Sequence, residues 1–134
     1  MSSTQIEHDT LTGSKAAACS NLVVRLMSEY TGRGPTKART YLQDRLAVVV
    51  LEDTLTKGER SLVRDGESAL VLTNRRAYQH TMRKELSKGI EQILDRKIVA
   101  FMSENHIDPD MAVEIFVLAP ESVGNDHLAA VNNA

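Results

Sequence analysis

The chain has 134 residues, with 16 Lys and Arg against 18 Asp and Glu and a formal net charge of −2. That balance excludes a general nucleic-acid binder, whose surface must be basic enough to neutralise phosphates. A single cysteine, Cys19, excludes an intrachain disulfide and a four-cysteine zinc site, and the longest purely apolar run, Leu46–Leu51, falls far short of the about 20 residues that cross a bilayer as a helix.

Residues 1–12 are polar and aperiodic and read as a flexible tail. They contain no basic region followed by an apolar run, so they do not read as a secretory leader. Residues 13–120 read as one domain, a length that can bury a core without staples. Its first helix is expected from about Ser14 to Tyr30, where Ala16, Cys19, Val23, Leu26 and Tyr30 recur at helical spacing and Leu22 and Met27 widen the stripe. Ser14 suits the cap, and Gly32 is the stop, because glycine takes the left-handed conformation without penalty. "ARTYLQ" and "LAVVVLED" then read as strands joined by a tight turn at Gln43–Arg45, an antiparallel hairpin. The second strand is apolar on both faces and is expected to be covered on both, by helices or by a partner subunit.

Thr56 and Glu59 form a capping box opening the short helix "KGERSLVRD", which stops at Gly66. A long helix follows from about Glu67 to Leu94, with Tyr78, Met82, Leu86, Ile90 and Leu94 as its apolar stripe. "KIVAFMS" and "AVEIFVLAP" are two more strands around the turn "ENHIDPD", and residues 121–134 read as a second flexible tail. The order α-β-β-α-α-β-β, built from hairpins, predicts an α+β fold: a four-stranded antiparallel sheet with helices packed on it.

Three features could carry chemistry. In "YTGRGPTKART" two glycines and a proline sit among Arg33, Lys37 and Arg39. Gly34 and Thr36 complete a candidate anion- or partner-binding set, because glycine lets backbone N–H groups approach an anion and the cations supply charge. Phosphate cradles, however, precede a helix, and this loop follows one, so a structural corner is the favoured reading. On the long helix, Arg76, His80, Lys84 and Lys88 recur every four residues, either a basic stripe for an acidic partner or a solvated face opposite the core; the solvated face is favoured. His106, Asp108 and Asp110 alternate in one turn, but no second ligand cluster accompanies them, and a capped turn explains the aspartates as well. Cys19 lies on an apolar stripe and reads as core. There is no G-x-S-x-G, H-E-x-x-H or Rossmann fingerprint, and no catalytic residue, cofactor or metal is assigned.

"GRGPTKARTYLQDRLAVVVLEDTLTKGERSLVRDG", "NRRAYQHTMRKELSKGIEQI" and "RKIVAFMSENHIDPDMAVEIFVL" together resemble the YbcI-like family, also called the MpsC domain of a Na+-translocating membrane potential-generating system. The resemblance covers about residues 13–119. It marks Gly32–Lys37, Arg39, Leu55, Thr56, Glu59, Arg60 and Arg76; a typical member has glycine in the first hairpin turn, where this chain reads "QDR". It implies a cytoplasmic accessory domain tied to a membrane system for membrane potential and inorganic-carbon uptake, with no established catalytic residues to carry over. The expectation is therefore a small non-catalytic domain. It would act through a membrane-protein or acidic protein partner, or through a small anion such as bicarbonate or phosphate. The alternative is an enzyme in which Arg33, Lys37, Arg39 and Arg76 clamp an anionic substrate. A homodimer is the expected oligomer, since the doubly apolar strand and the helix stripe exceed what one small domain covers.

Overall fold

The computed structural model describes residues 3–121, with side chains from residue 11 onward. Of the tail expected at residues 121–134, residues 122–134 lie outside the described residues. The elements are helix α1 (Ser3–Thr31), strands β1 (Lys37–Gln43) and β2 (Leu46–Glu52), helices α2 (Lys57–Arg64) and α3 (Ser68–Leu94), and strands β3 (Ile98–His106) and β4 (Met111–Leu118). The expected α-β-β-α-α-β-β order and α+β class are those of the structure.

The bounds of α1 differ from expectation. The backbone is already helical at Ser3, so Ser14 lies inside the helix rather than capping it. No proline precedes Gly13, and Gly13 itself continues the helix, so nothing upstream breaks the hydrogen-bond ladder. At the other end Gly32 takes φ +83° and its N–H donates to Ser28 O, the left-handed stop the sequence predicts.

All strand pairs are antiparallel, in the spatial order β1-β2-β4-β3. The tight turn between β1 and β2 is made by Asp44 at φ +47°. A short polar side chain tolerates that left-handed position, so aspartate serves where a typical family member has glycine.

Residues of alternate parity face α1 and α3. From the strands these are Ala47, Val49 and Leu51 of β2 and Ala112, Phe116 and Leu118 of β4, all buried. Cys19, Val23, Leu26 and Met27 of α1 and Met82, Leu86, Ile90 and Leu94 of α3 complete the core. Burial pushes the Cys19 thiol up to about 11, consistent with a core role.

The expected stripe of α3 holds at Met82, Leu86, Ile90 and Leu94 but not at Tyr78, which is exposed. The buried line continues instead through Gln79, Arg75 and Val71, because the N-terminal half of α3 lies over polar partners. Gln79 bonds Asn105 and Glu114, and Arg75 bonds Glu59.

Candidate functional site

Arg33 leaves the end of α1 and turns inward to the connector between β2 and α2. Its Nη1 donates to Asp53 O at 2.6 Å and Leu55 O at 3.2 Å, and its Nη2 donates to Asp53 Oδ2 at 2.7 Å. Thr36 Oγ1 donates to the same carboxylate oxygen at 2.9 Å, and Arg60 of α2 bonds the other oxygen. Asp53 itself sits at φ +58°. Its carboxyl is held below the usual range by the Thr36 hydroxyl, and further by Arg33 and Arg60.

A second carboxylate closes the connector from the far side. Asp110 Oδ1 accepts from Thr54 N at 3.1 Å and Thr54 Oγ1 at 2.7 Å, and Asp110 Oδ2 accepts from Leu55 N at 3.0 Å. The third anchor is Arg75, buried on α3, whose Nε and Nη2 reach Glu59 Oε2 at 2.9 Å and Oε1 at 2.7 Å. Arg75 also donates to Thr54 O. Glu59 completes the capping box, accepting from Thr56 N at 2.8 Å while its own N–H donates to Thr56 Oγ1 at 3.1 Å. This knot joins the loop after α1, the β2–α2 connector, α2, α3 and the β3–β4 turn. Every charge at its centre has an opposite charge or several donors, which for Arg75 and Glu59 is the condition for holding ions where solvent is scarce, whereas Arg33, Asp53 and Arg60 stay partly exposed.

The cations of the opening loop therefore do not converge. Arg33 is engaged with Asp53, and Gly34 is a close-packing position, where a Cβ would lie 3.0 Å from Val24 O and 3.2 Å from Val24 Cγ1. Ala38, Thr40 and Leu42 of β1 turn toward α1, with Thr40 Oγ1 2.8 Å from Ser20 Oγ. Lys37, Arg39 and Tyr41 consequently point to the other side of the sheet, away from both helices. Arg76 is exposed on α3, in the helix layer. The sheet thus separates Lys37 and Arg39 from Arg76, and the four-cation clamp is not assembled.

The remaining candidates are placed simply. Arg76, His80, Lys84 and Lys88 form an exposed face of α3. In the β3–β4 turn, Asp110 serves the connector and His106 Nδ1 lies 2.7 Å from Pro109 O. Among the described residues no group of three or more His, Cys, Asp or Glu is placed to hold a metal ion.

Sequence reasoning missed three residues of the knot. Asp53 closes the strand run "LAVVVLED", Arg75 stands next to Arg76 in "NRRAYQH" with no role of its own, and Asp110 is one of two turn aspartates. The available signal was the pairing of an isolated arginine inside an apolar stripe with an acidic cap upstream, because a buried cation demands an anion.

Lys37 and Arg39 border a depression of about 540 Å³ that also touches Thr36, Tyr41, Val50, Glu52 and Met111. It lies on the sheet face that no described element covers.

Among the described residues no helix is long and apolar enough to cross a membrane. No solved structure matches the chain. It is similar to the uncharacterized protein YrhF of Bacillus subtilis strain 168, with 25% identity over 99 residues, covering 72% of this chain and 81% of that protein. Residues 12–120 match the family described as the Na+-translocating membrane potential-generating system (MpsC). The match embraces every strand, α2, α3 and most of α1, and the chain belongs to the MpsC family.

Proposed function

We propose that the protein is a cytoplasmic, non-catalytic accessory domain of the membrane system after which its family is named, in the setting of inorganic-carbon uptake. It acts by protein contact, with Lys37, Arg39 and Arg76 as its outward-facing cations. The observation that carries this reading is the division of labour within one motif. Arg33, Gly34 and Thr36 are accounted for by internal structure, whereas Lys37 and Arg39 stand on an uncovered apolar sheet face. A surface that combines apolar side chains with a charged rim suits a protein partner.

A second reading, a small-anion site for bicarbonate or phosphate, is favoured by the adjacency of Lys37, Arg39 and Thr36 around the depression. Glu52 opposes it, because its carboxylate lines the same space. The two readings separate in solution. Amide spectra of isotope-labelled protein, titrated with bicarbonate and then phosphate at constant ionic strength, are expected to show no saturable shift at Arg33, Gly34, Thr36, Lys37, Arg39 or Arg76. A saturable shift confined to those residues, abolished by Arg39→Ala, would replace the protein-contact reading by the anion site.

A further inference from the structure

The uncovered face of the sheet has an order of its own. Cross-strand partners lie on the same face of a sheet, so the strand registers define rows running from β1 across to β3. One row is Arg39, Val50, Val113, Glu104, and the next is Tyr41, Val48, Ile115, Met102. The interior of these rows is apolar, and Tyr41 and Met102 are 53% and 50% exposed. The charges sit at the ends: a cation on β1 and an anion on β3 in the same row. The Arg39–Glu104 row is thus complementary to its own reverse.

We propose that a second copy of this chain covers this face, the two sheets packing face to face about a two-fold axis parallel to the strands. The proposal rests on the protein-contact reading and names the partner. Rotation about that axis lays β1 of one copy over β3 of the other and keeps each row opposite itself. Arg39 then meets Glu104 of the partner subunit, and Val50 meets Val113 of the partner subunit. Tyr41 meets Met102 of the partner subunit, an aromatic ring against a thioether, which is a favourable contact. At the rim, Lys37 faces His106 of the partner subunit with Glu52 beside it in its own sheet.

Charge selects this axis. A two-fold perpendicular to the strands would reverse the rows and set Arg39 against Tyr41 of the partner subunit, and Glu104 against Met102 of the partner subunit. That arrangement would desolvate both charges without pairing them. The size is also suitable. Four strands at a spacing of about 4.8 Å and a strand length of about 23 Å give a face of roughly 440 Å² in plan, and the relief of side chains brings its accessible area toward the ~800 Å² per partner of a specific interface. Aligned sheets that pack this way rotate by only about 30°, so the rows stay approximately superposed.

The test uses charge reversal in the full-length chain, with mass measured by light scattering after size exclusion across micromolar concentrations. The wild type is expected to be a dimer. Arg39→Glu and Glu104→Arg, each alone, place like charges opposite each other and are expected to raise the dissociation constant by tenfold or more. Mixing the two single variants re-creates opposite charges at both contacts, and a one-to-one heterodimer is expected to return. Circular dichroism of each variant establishes that it is folded. A monomeric wild type overturns the proposal while leaving the protein-contact reading to the anion titration, and it is the result expected if residues 122–134 of the same chain covered the face instead. A dimer indifferent to both reversals, or one that mixing fails to restore, overturns it as well.

Discussion

Glu114 lies in the middle of β4, fully buried, and points at α3 rather than at the open face. Its carboxyl bonds Ser103, and Gln79 Nε2 donates to it at 3.2 Å. Burial dominates over these bonds and over the nearby Arg83, so its pKa is pushed up to about 7. The folded state therefore holds a proton that the unfolded chain releases at ordinary carboxylate pH. Stability from this group is present below about pH 4.5 and is lost as pH rises toward about 7, a change on the order of 3 kcal/mol. Glu114→Gln resembles the protonated acid in shape and cannot ionise. Urea unfolding from pH 5 to 8 should show the variant more stable than wild type at pH 8, with the difference shrinking toward pH 5. Parallel curves would mean that Glu114 is charged in the fold throughout. Asp53 acts with the opposite sign, since its lowered pKa makes its contribution disappear as pH falls through the acidic range. Neither residue was legible in the sequence. "AVEIFVL" announces a strand, and the alternation puts Glu114 on the same side as Phe116, but only the position of Gln79 and Ser103 makes that side tolerable for a carboxyl.

At the scale of elements, α1 and α3 meet where Gly89 faces Leu22. A Cβ at Gly89 would stand 2.4 Å from Leu22 Cδ2 and 3.0 Å from Leu22 Cδ1. The sequence shows this glycine only as a weak point in a helix, worth about 1 kcal/mol of lost propensity against alanine. The fold gives it a purpose, as a seat for the leucine of the neighbouring helix. Gly89→Ala should therefore fail to deliver the about 1 kcal/mol of stabilisation that propensity alone offers, because Leu22 must move aside to admit the methyl group. In a Leu22→Ala background the same substitution should be more favourable by at least about 0.5 kcal/mol, measured as a double-mutant cycle by urea denaturation. Additive effects would show that Leu22 swings aside freely. Other elements were legible because their signals are local. The capping box at Thr56 and Glu59, the stop at Gly32 and the hairpin at Asp44 each depend on residues a few positions apart. The start of α1 was not, since polar residues without proline are compatible with either helix or tail.

For the whole molecule, the two-layer arrangement leaves one sheet face without a covering element among the described residues. The sequence anticipated cover on both sides of "LAVVVL", and the structure supplies it on one, burying Ala47, Val49 and Leu51 while Val48 and Val50 stay half-exposed. The candidate site was legible in composition but not in direction: nothing in "GRGPTKAR" tells that Arg33 turns inward and Arg39 outward, because that depends on strand parity and on Asp53 some way along the chain. If two copies share the face, association stabilises the folded state by mass action, and the thermal midpoint must rise with protein concentration. Circular dichroism melts over a hundredfold concentration range check this, and a fixed midpoint would describe a protein that folds as a monomer.

The strand order β1-β2-β4-β3 also governs what happens while the chain is being made. Each hairpin closes locally, but the central pairing of β2 with β4 waits for Met111–Leu118, the last of these four strands to leave the ribosome. Until then β2 is an edge, its apolar side chains bare and its backbone groups on that edge unpaired, the kind of surface that recruits other unfinished chains. A chain interrupted anywhere between Glu52 and Met111 would keep that edge for its lifetime, so the final strand serves as the lock that separates a finished molecule from an adhesive fragment.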